Sequence, residues 1–238
     1  MDELSQPEEI SAVDLLHEIG RRMAGADMLH DVLERIVTLV SSEVECDSCF
    51  IYILEGDELV LRASKNPHPE VVDRLKLRVG QGITGWVAEH LEPVALGENA
   101  FRDPRFNFFS ELPEDRYEAF LSVPILSRGR AVGVINLQHR LPHAQSQRDI
   151  KLISTIGFLV GAEVERARLE GQVSQLSEQL EIRKIVERAK GILQRDLRLS
   201  EDDAYRVLQR QSRQMRRSMK EVAEAVVISD ELKRQQSS

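Results

Sequence analysis

The sequence predicts an α+β domain with a mainly antiparallel sheet, then a coiled-coil helix, then an all-α three-helix bundle. Three observations carry that prediction. Apolar residues recur at helical spacing ahead of Cys46, short strand-like runs replace them between Cys49 and His139, and helical spacing returns from Ser146 onwards. The charge reverses along the chain as well: residues 1–180 hold 18 Lys/Arg against 30 Asp/Glu, a balance of −12, whereas residues 181–238 hold 14 against 10, a balance of +4. Two parts with opposite charge are expected to face different partners.

Taken in order, "ISAVDLLHEIGRRMAG" and "MLHDVLERIVTLVSSEV" read as helices, the second with Leu29, Val32, Leu33, Ile36, Val37 and Val40 on one stripe. "CFIYIL" and "ELVLRA" are short, apolar and β-branched, and the "EGD" between them is turn chemistry, so they form a hairpin. "EPVAL", "AFLSVPIL" and "RAVGVINLQH" continue the strands, with "SRG" as a tight turn between the last two. Ser146 caps a following helix. From Leu159 that helix carries Leu159, Ala162, Arg166, Leu169, Val173, Leu176, Leu180 and Arg183 at alternating spacings of three and four, the seam of a parallel two-stranded coiled coil. Arg166 and Arg183 in the seam, with Gly171, make it a weak one; the competing reading is an amphipathic helix lying on its own domain. After Leu180 the stripe moves to Ile182, Ile185, Val186, Ala189, Ile192 and Leu193, as in a helix joining a bundle.

Several function classes are disfavoured. No apolar run approaches the roughly 20 residues of a membrane span, "MDELSQPEEISAV" lacks the segments of a signal peptide, and two cysteines are too few to staple an extracellular fold. A cytoplasmic protein without a membrane partner is expected. "GQGITG" formally matches a dinucleotide fingerprint through Gly80, Gly82 and Gly85, but no βαβ unit surrounds it, so the glycines are expected to shape a turn into the helix "ITGWVAEHL". Cys46 and Cys49 form a lone CxxC at a strand start, read as a structural, mostly buried pair with redox sensing as the alternative. The histidines at 17, 30, 68, 90, 139 and 143 are dispersed; no catalytic residues, metal ligands or cofactor are assigned.

"LRVGQGITGWVAEHLEPVAL", "NAFRDPRFN" and "SVPILSRGRAVGVINLQH", in that order, resemble the GAF family of sensory domains over about 150 residues. The resemblance implies a six-stranded sheet with one face roofed by a loop and short helices, able to hold a small-molecule ligand. Trp86, Phe101 and Phe106 are the candidate ligand-binding residues. The Asn-Lys-Phe-Asp-Glu set of cyclic-nucleotide GAF domains is not matched, so no cyclic nucleotide is assigned.

The tail divides into three helices, the second capped by Ser200 with Asp203 three residues on, the third by Ser218. In the second, Ala204, Val207, Leu208 and Gln211 mark one face, while Arg206, Arg210, Arg213 and Arg217 form a ridge on another; Tyr205 to Lys220 contains no acidic residue. "ERAKGILQ", "LSEDDAY" and "KEVAEAVV" resemble the ANTAR family of RNA-binding domains over about the last 60 residues. That implies a three-helix bundle that binds paired hairpin loops in nascent transcripts as a dimer and prevents a terminator from forming. Lys190 is the first candidate for RNA contact; Arg188, Gly191, Tyr205, Arg206, Arg210, Arg213 and Arg217 accompany it. The expected organisation is a GAF-like sensor with its N-terminal helices over 1–160, a coiled-coil helix over 161–181 and an ANTAR-like bundle over 182–238, acting as a homodimeric, signal-responsive antiterminator. A DNA-binding helix-turn-helix beginning at "SMKEVAEAVVIS" is disfavoured because only "DELKRQQSS" follows where a recognition helix would lie. The alternative is a small-molecule or redox-sensing module whose tail binds a protein or DNA partner.

Overall fold

A computed structural model describes residues 12–23, 29–65, 71–106 and 117–236. The chain divides into two compact units, residues 1–168 and 169–238, each described by itself.

The first unit contains α1 (Ala12–Met23), α2 (Leu29–Glu43), β1 (Ser48–Glu55), β2 (Glu58–Lys65), β3 (Lys76–Arg78), α3 (Gly82–His90), β4 (Val94–Leu96), β5 (Ala119–Ser127), β6 (Arg130–His139) and the start of α4 (Gln147–Leu197). Its six strands form one sheet in the order β3-β2-β1-β6-β5-β4, every adjacent pair antiparallel. Both expected hairpins close with two-residue turns, Gly56-Asp57 between Glu55 and Glu58, and Arg128-Gly129 between Ser127 and Arg130. Arg128 and Gly129 both have positive φ, 50° and 75°, the backbone hand that lets a two-residue turn follow the twist of its strands. β3 was not anticipated; a three-residue strand is too short to display a period.

Each face of the sheet buries its own core. On one face, Leu15, Ile19 and the α2 stripe Val32, Leu33, Ile36, Val37 and Val40 meet Ile51, Leu121, Ile125 and Ile135 from the strands and Ile153, Ile156 and Val160 from α4. On the other, Phe50, Tyr52, Leu59, Leu61, Phe120 and Val134 meet Ile83, Val87 and Ala88 of α3. A bulge reconciles β2 with both: Ile51 pairs with Ala63 but Tyr52 with Leu61, so Arg62 is an extra residue that returns the strand to phase. Arg62 in turn ties down the neighbouring turns by pairing with Glu55 and Asp73.

Ser146 caps α4 as expected, its hydroxyl accepting from the Asp149 N–H at 3.1 Å. Leu159, the first seam residue, packs partly against the first core. Leu169, Val173, Leu176 and Leu180 are 41%, 63%, 59% and 57% exposed, so their stripe is uncovered in the single chain.

The second unit comprises the rest of α4 with α5 (Glu201–Met215) and α6 (Met219–Gln236). Ala189, Ile192, Leu208, Val222, Ala223 and Val227 are its buried core, with Ile185, Val186 and Leu193 partly buried against them. α6 runs unbroken through Ile228-Ser229, where a helix-turn-helix would need its turn. No described helix is long and apolar enough to cross a membrane.

Candidate nucleic-acid interface

The geometry of the tail begins with its caps. Ser200 stops the chain before α5: its hydroxyl accepts from the Asp203 N–H at 3.1 Å and donates to the Asp203 carboxylate at 2.7 Å. Ser218 and Glu221 form a full capping box at α6, with the Glu221 N–H on the Ser218 hydroxyl at 3.2 Å and the Ser218 N–H on the Glu221 carboxylate at 2.8 Å. That backbone bond, helped by Arg217, holds the Glu221 carboxyl below its usual range.

With Ala204 and Leu208 buried, the helical period turns Arg206, Arg210 and Arg213 outward. Arg206 has only a loose contact with Asp203 at 3.7 Å. Among the described residues Arg210, Arg213, Arg216 and Lys220 form no ion pair. Arg217 is exposed but bonded to Glu221 at 2.9 Å. Tyr205 is 44% exposed, so its ring is a surface group rather than part of the core.

Lys190 is placed differently from the ridge. Its side chain is only 9% exposed, and its ammonium donates to both Glu187 oxygens at 3.0 Å and to Glu201 at 2.6 Å. These bonds raise its pKa, Glu201 contributing most, and correspondingly lower that of Glu201. All three donors of the ammonium are used, and the group pins the first turn of α5 to α4. Arg188 is similarly engaged, reaching Glu231 on α6 at 2.8 Å, and Arg195 and Arg234 both pair with the buried Asp230. Gly191 is exposed, and a β-carbon built there would meet nothing within 4 Å. Sequence alone could not separate committed cations from free ones, since Glu201, Glu231 and Asp230 come to their partners from other helices or other turns.

A groove of about 450 Å3 between α5 and α6 went unanticipated. Met215, Val222, Ala225 and Val226 line it, with Gln211, Arg217 and Glu221. The only sequence signal was the apolar "VAEAVV" run extending past what the bundle core uses.

In the sheet domain, Trp86 and Phe106 lie partly buried against the second core. The Trp86 ring is stacked on His90 with centroids 4.1 Å apart, and the Arg105 guanidinium lies 4.7 Å from its centroid. Arg105 is itself held by Asp103 at 2.7 Å. Phe101 is 37% exposed, with the Arg102 guanidinium 5.6 Å from its ring centroid. Asn136 donates to Thr84 of α3 at 2.8 Å and accepts from Ser122 at 2.7 Å, a buried chain linking α3 to the sheet that no local pattern announced. Gly80 and Gly82 have positive φ, 82° and 68°, and a β-carbon on Gly85 would lie 2.4 Å from the Arg78 carbonyl; the three glycines serve the β3–α3 turn.

Cys49 is completely buried and Cys46 half-buried, both as free thiols. Burial pushes both thiols up, which disfavours the thiolate. His139 and His143, counted as dispersed in the sequence, stack with centroids 3.9 Å apart. No group of three or more potential metal ligands occurs among the described residues.

Comparisons with known proteins agree with both halves of this description. A GAF-domain model matches residues 28–164, more than half of the chain, and an ANTAR-domain model matches residues 174–227. The transcriptional regulatory protein PdtaR of Mycobacterium tuberculosis is 47% identical over 76 residues, 32% of this chain and 37% of PdtaR. A protein of the phosphoenolpyruvate-dependent phosphotransferase system of Escherichia coli is 30% identical over 118 residues, 48% of this chain but only 15% of that protein. The chain thus spans well under two thirds of either relative. The solved GAF domain of a phosphoenolpyruvate-protein phosphotransferase from Coxiella burnetii superposes with a TM-score of 0.64 at 26% identity, covering 70% of this chain and 99% of that one. The free methionine-R-sulfoxide reductase of Neisseria meningitidis shares the fold, with a TM-score of 0.58 at 16% identity over 71% of this chain and 98% of that one. With a GAF sheet domain followed by an ANTAR helical domain, the chain belongs to the family of GAF-ANTAR regulators.

Proposed function

We propose that this protein is a cytoplasmic, non-enzymatic regulator that binds paired RNA hairpins through its helical tail under the control of its GAF domain, and so keeps a transcription terminator from forming. The observation that carries the reading is a row of exposed cations on α5 and the turn after it: among the described residues, Arg210, Arg213 and Arg216 form no ion pair. Phosphates are the fitting counter-charge, since guanidinium forks bind them bidentately and also stack on loop bases. Tyr205, exposed beside Arg206, adds a stacking surface.

Within this proposal the candidate residues divide. Arg206, Arg210, Arg213 and Arg217 contact RNA with Tyr205. Lys190 and Arg188 act by fixing α5 and α6 on α4. Gly191 leaves the α4 backbone open to close approach. The exposed leucines at 169, 176 and 180 with Val173 are covered by the same stripe of a second copy, which presents two bundles to two hairpins. Residues 1–160, 161–181 and 182–238 then serve as sensor, transmitter and reader, and a small molecule bound near Trp86 and Phe106 supplies the signal.

The test is binding of the purified protein to a two-hairpin RNA and to duplex DNA of equal charge across salt concentrations. A preference for the hairpins that survives moderate salt is expected, with Arg210→Gln plus Arg213→Gln lowering the salt slope by roughly one to two. Equal, weak binding to both that vanishes with salt would withdraw the reading.

A further inference from the structure

The geometry points to the groove between α5 and α6 as a subsite for one unstacked nucleobase of the RNA loop. This rests on the RNA reading above and gives the loop a place on the protein. The floor is apolar, built by Met215 at the end of α5 and by Val222, Ala225 and Val226 of α6. Two hydrogen-bonding side chains stand with it. The Gln211 amide has no partner among the described residues, and Arg217 spends one nitrogen on Glu221 and keeps its other N–H groups. A nucleobase is a flat apolar plate with donors and acceptors around its edge, which answers both the floor and the two planar side chains.

Glu221, the one acidic lining residue, does not repel a nucleic acid as a free carboxylate would. One of its oxygens takes the Ser218 N–H and hydroxyl at 2.8 and 2.9 Å, and the other takes Arg217 at 2.9 Å. The surrounding charge is positive. The turn that closes α5 places Arg216 at φ 51°, a left-handed conformation unusual for a residue with a β-carbon. Its N–H reaches the Ser212 and Arg213 carbonyls, and the Ser212 hydroxyl donates to the Arg217 carbonyl at 2.6 Å. Arg216 and Arg217 are thereby held side by side next to Met215, with Arg213 and Lys220 nearby in the chain and both without an ion pair among the described residues. A base in the groove would bring its flanking phosphates to these cations. A second copy of the bundle is a poorer occupant, because it would bring two such arginine-rich rims together.

The experiment uses the full chain and tandem-hairpin RNAs enriched from a pool with randomised loops. Ala225→Trp fills the groove from an exposed position, and Gln211→Ala removes the free amide while leaving the groove open. The expected result is that Ala225→Trp weakens binding to the enriched hairpins by about 10- to 100-fold and leaves duplex binding unchanged. One abasic substitution in the loop should cost the wild type a similar factor and cost the Ala225→Trp protein nothing more. Circular dichroism checks the variant's fold; if it is unfolded, the abasic substitution is paired with Gln211→Ala instead, and the same loss of additivity is expected. Full additivity overturns the subsite, as does an abasic loop that binds as well as the intact one. So does a change of oligomeric mass in Ala225→Trp, which would make the groove a protein contact. No hairpin preference in the wild type would instead remove the RNA reading itself, separating that failure from this one.

Discussion

Tyr52, Leu121, Ile125 and Ile135 in the sheet domain are at most 1% exposed, whereas the tail bundle's core is built mainly from small or partly covered residues such as Ala189, Ala223 and Val227. The sheet domain is held by two apolar layers, one on each face. The bundle supplements a modest core with polar fasteners: Lys190 between Glu187 and Glu201, Asp230 between Arg195 and Arg234, Arg188 on Glu231, and serine caps on two helices. The difference teaches how a cationic surface is kept available. Cations that fasten the helices are matched with carboxylates, whereas Arg210 and Arg213 on the outer row of α5 form no ion pair among the described residues.

The contrast is sharpest in the cores. Ile135→Ala, in the central strand β6, should destabilise the sheet domain by about 4 kcal/mol through lost burial and a residual cavity. Leu208→Ala should cost the bundle about 3 kcal/mol on the same grounds, which is a larger share of what so small a core supplies. Amide hydrogen exchange on the full chain reads both; a loss of protection spread evenly over sheet and tail in either variant would break the comparison. Next in size is Gly85→Ala, whose methyl would lie 2.4 Å from the Arg78 carbonyl and should cost about 2 kcal/mol by forcing the β3–α3 turn apart. Denaturant unfolding of the variant checks it, and an unchanged midpoint would mean the turn yields freely.

Acid should separate the two regions by window. Burial, then His143, lowers the His139 pKa from 6.5, against opposing pulls from Asp47, Glu45 and Asp149. Folding prefers the neutral ring, so this contribution is intact above the unfolded value and is lost as pH falls below it. Glu201 and Glu221 are lowered from 4.5 by Lys190 and by the Ser218 N–H respectively. Their contribution is complete above that unfolded value and is lost as pH falls through the lowered one. Exchange protection around His139 should therefore decline first on acidification, and the bundle should hold until the carboxylates titrate. Glu201→Gln with Glu221→Gln should flatten the later step. A bundle that loosens before the sheet domain would contradict this assignment.

The smallest expected effect has the opposite sign. Gly191→Ala meets nothing within 4 Å and replaces a poor helix former, so it should stabilise the bundle by about 0.5–1 kcal/mol. A thermal melt checks the gain. If RNA affinity falls while stability rises, the bare backbone at this position serves the ligand; if both rise, it does not.

Much of this molecule is visible in short-range patterns. The α2 stripe, the two hairpins and the capping serines at 146, 200 and 218 each depend on residues within four positions of one another, and each is found where the spacing places it. Of the predicted ridge, Arg206, Arg210 and Arg213 lie on α5, whereas Arg217 falls past the left-handed Arg216, in the turn after the helix. The candidate site was less legible. Lys190 has the look of a free cation in "ERAKGILQ", yet Glu201, eleven residues away, closes on it. Gln211 was read as one of the face residues of α5, and it lines a groove whose other wall is ten or more residues further on.

What the sequence by itself determined is the succession of periods, the punctuation of helices and the asymmetry of charge, because repeat, capping and composition are local properties of the chain. Only the tertiary structure decided that Arg62 would be the bulge, that Asn136 would bridge Thr84 and Ser122, that His139 would stack on His143, and which cations would be spent. Each of these depends on which segments meet once apolar faces are buried, and a pairing between distant residues leaves no period to read.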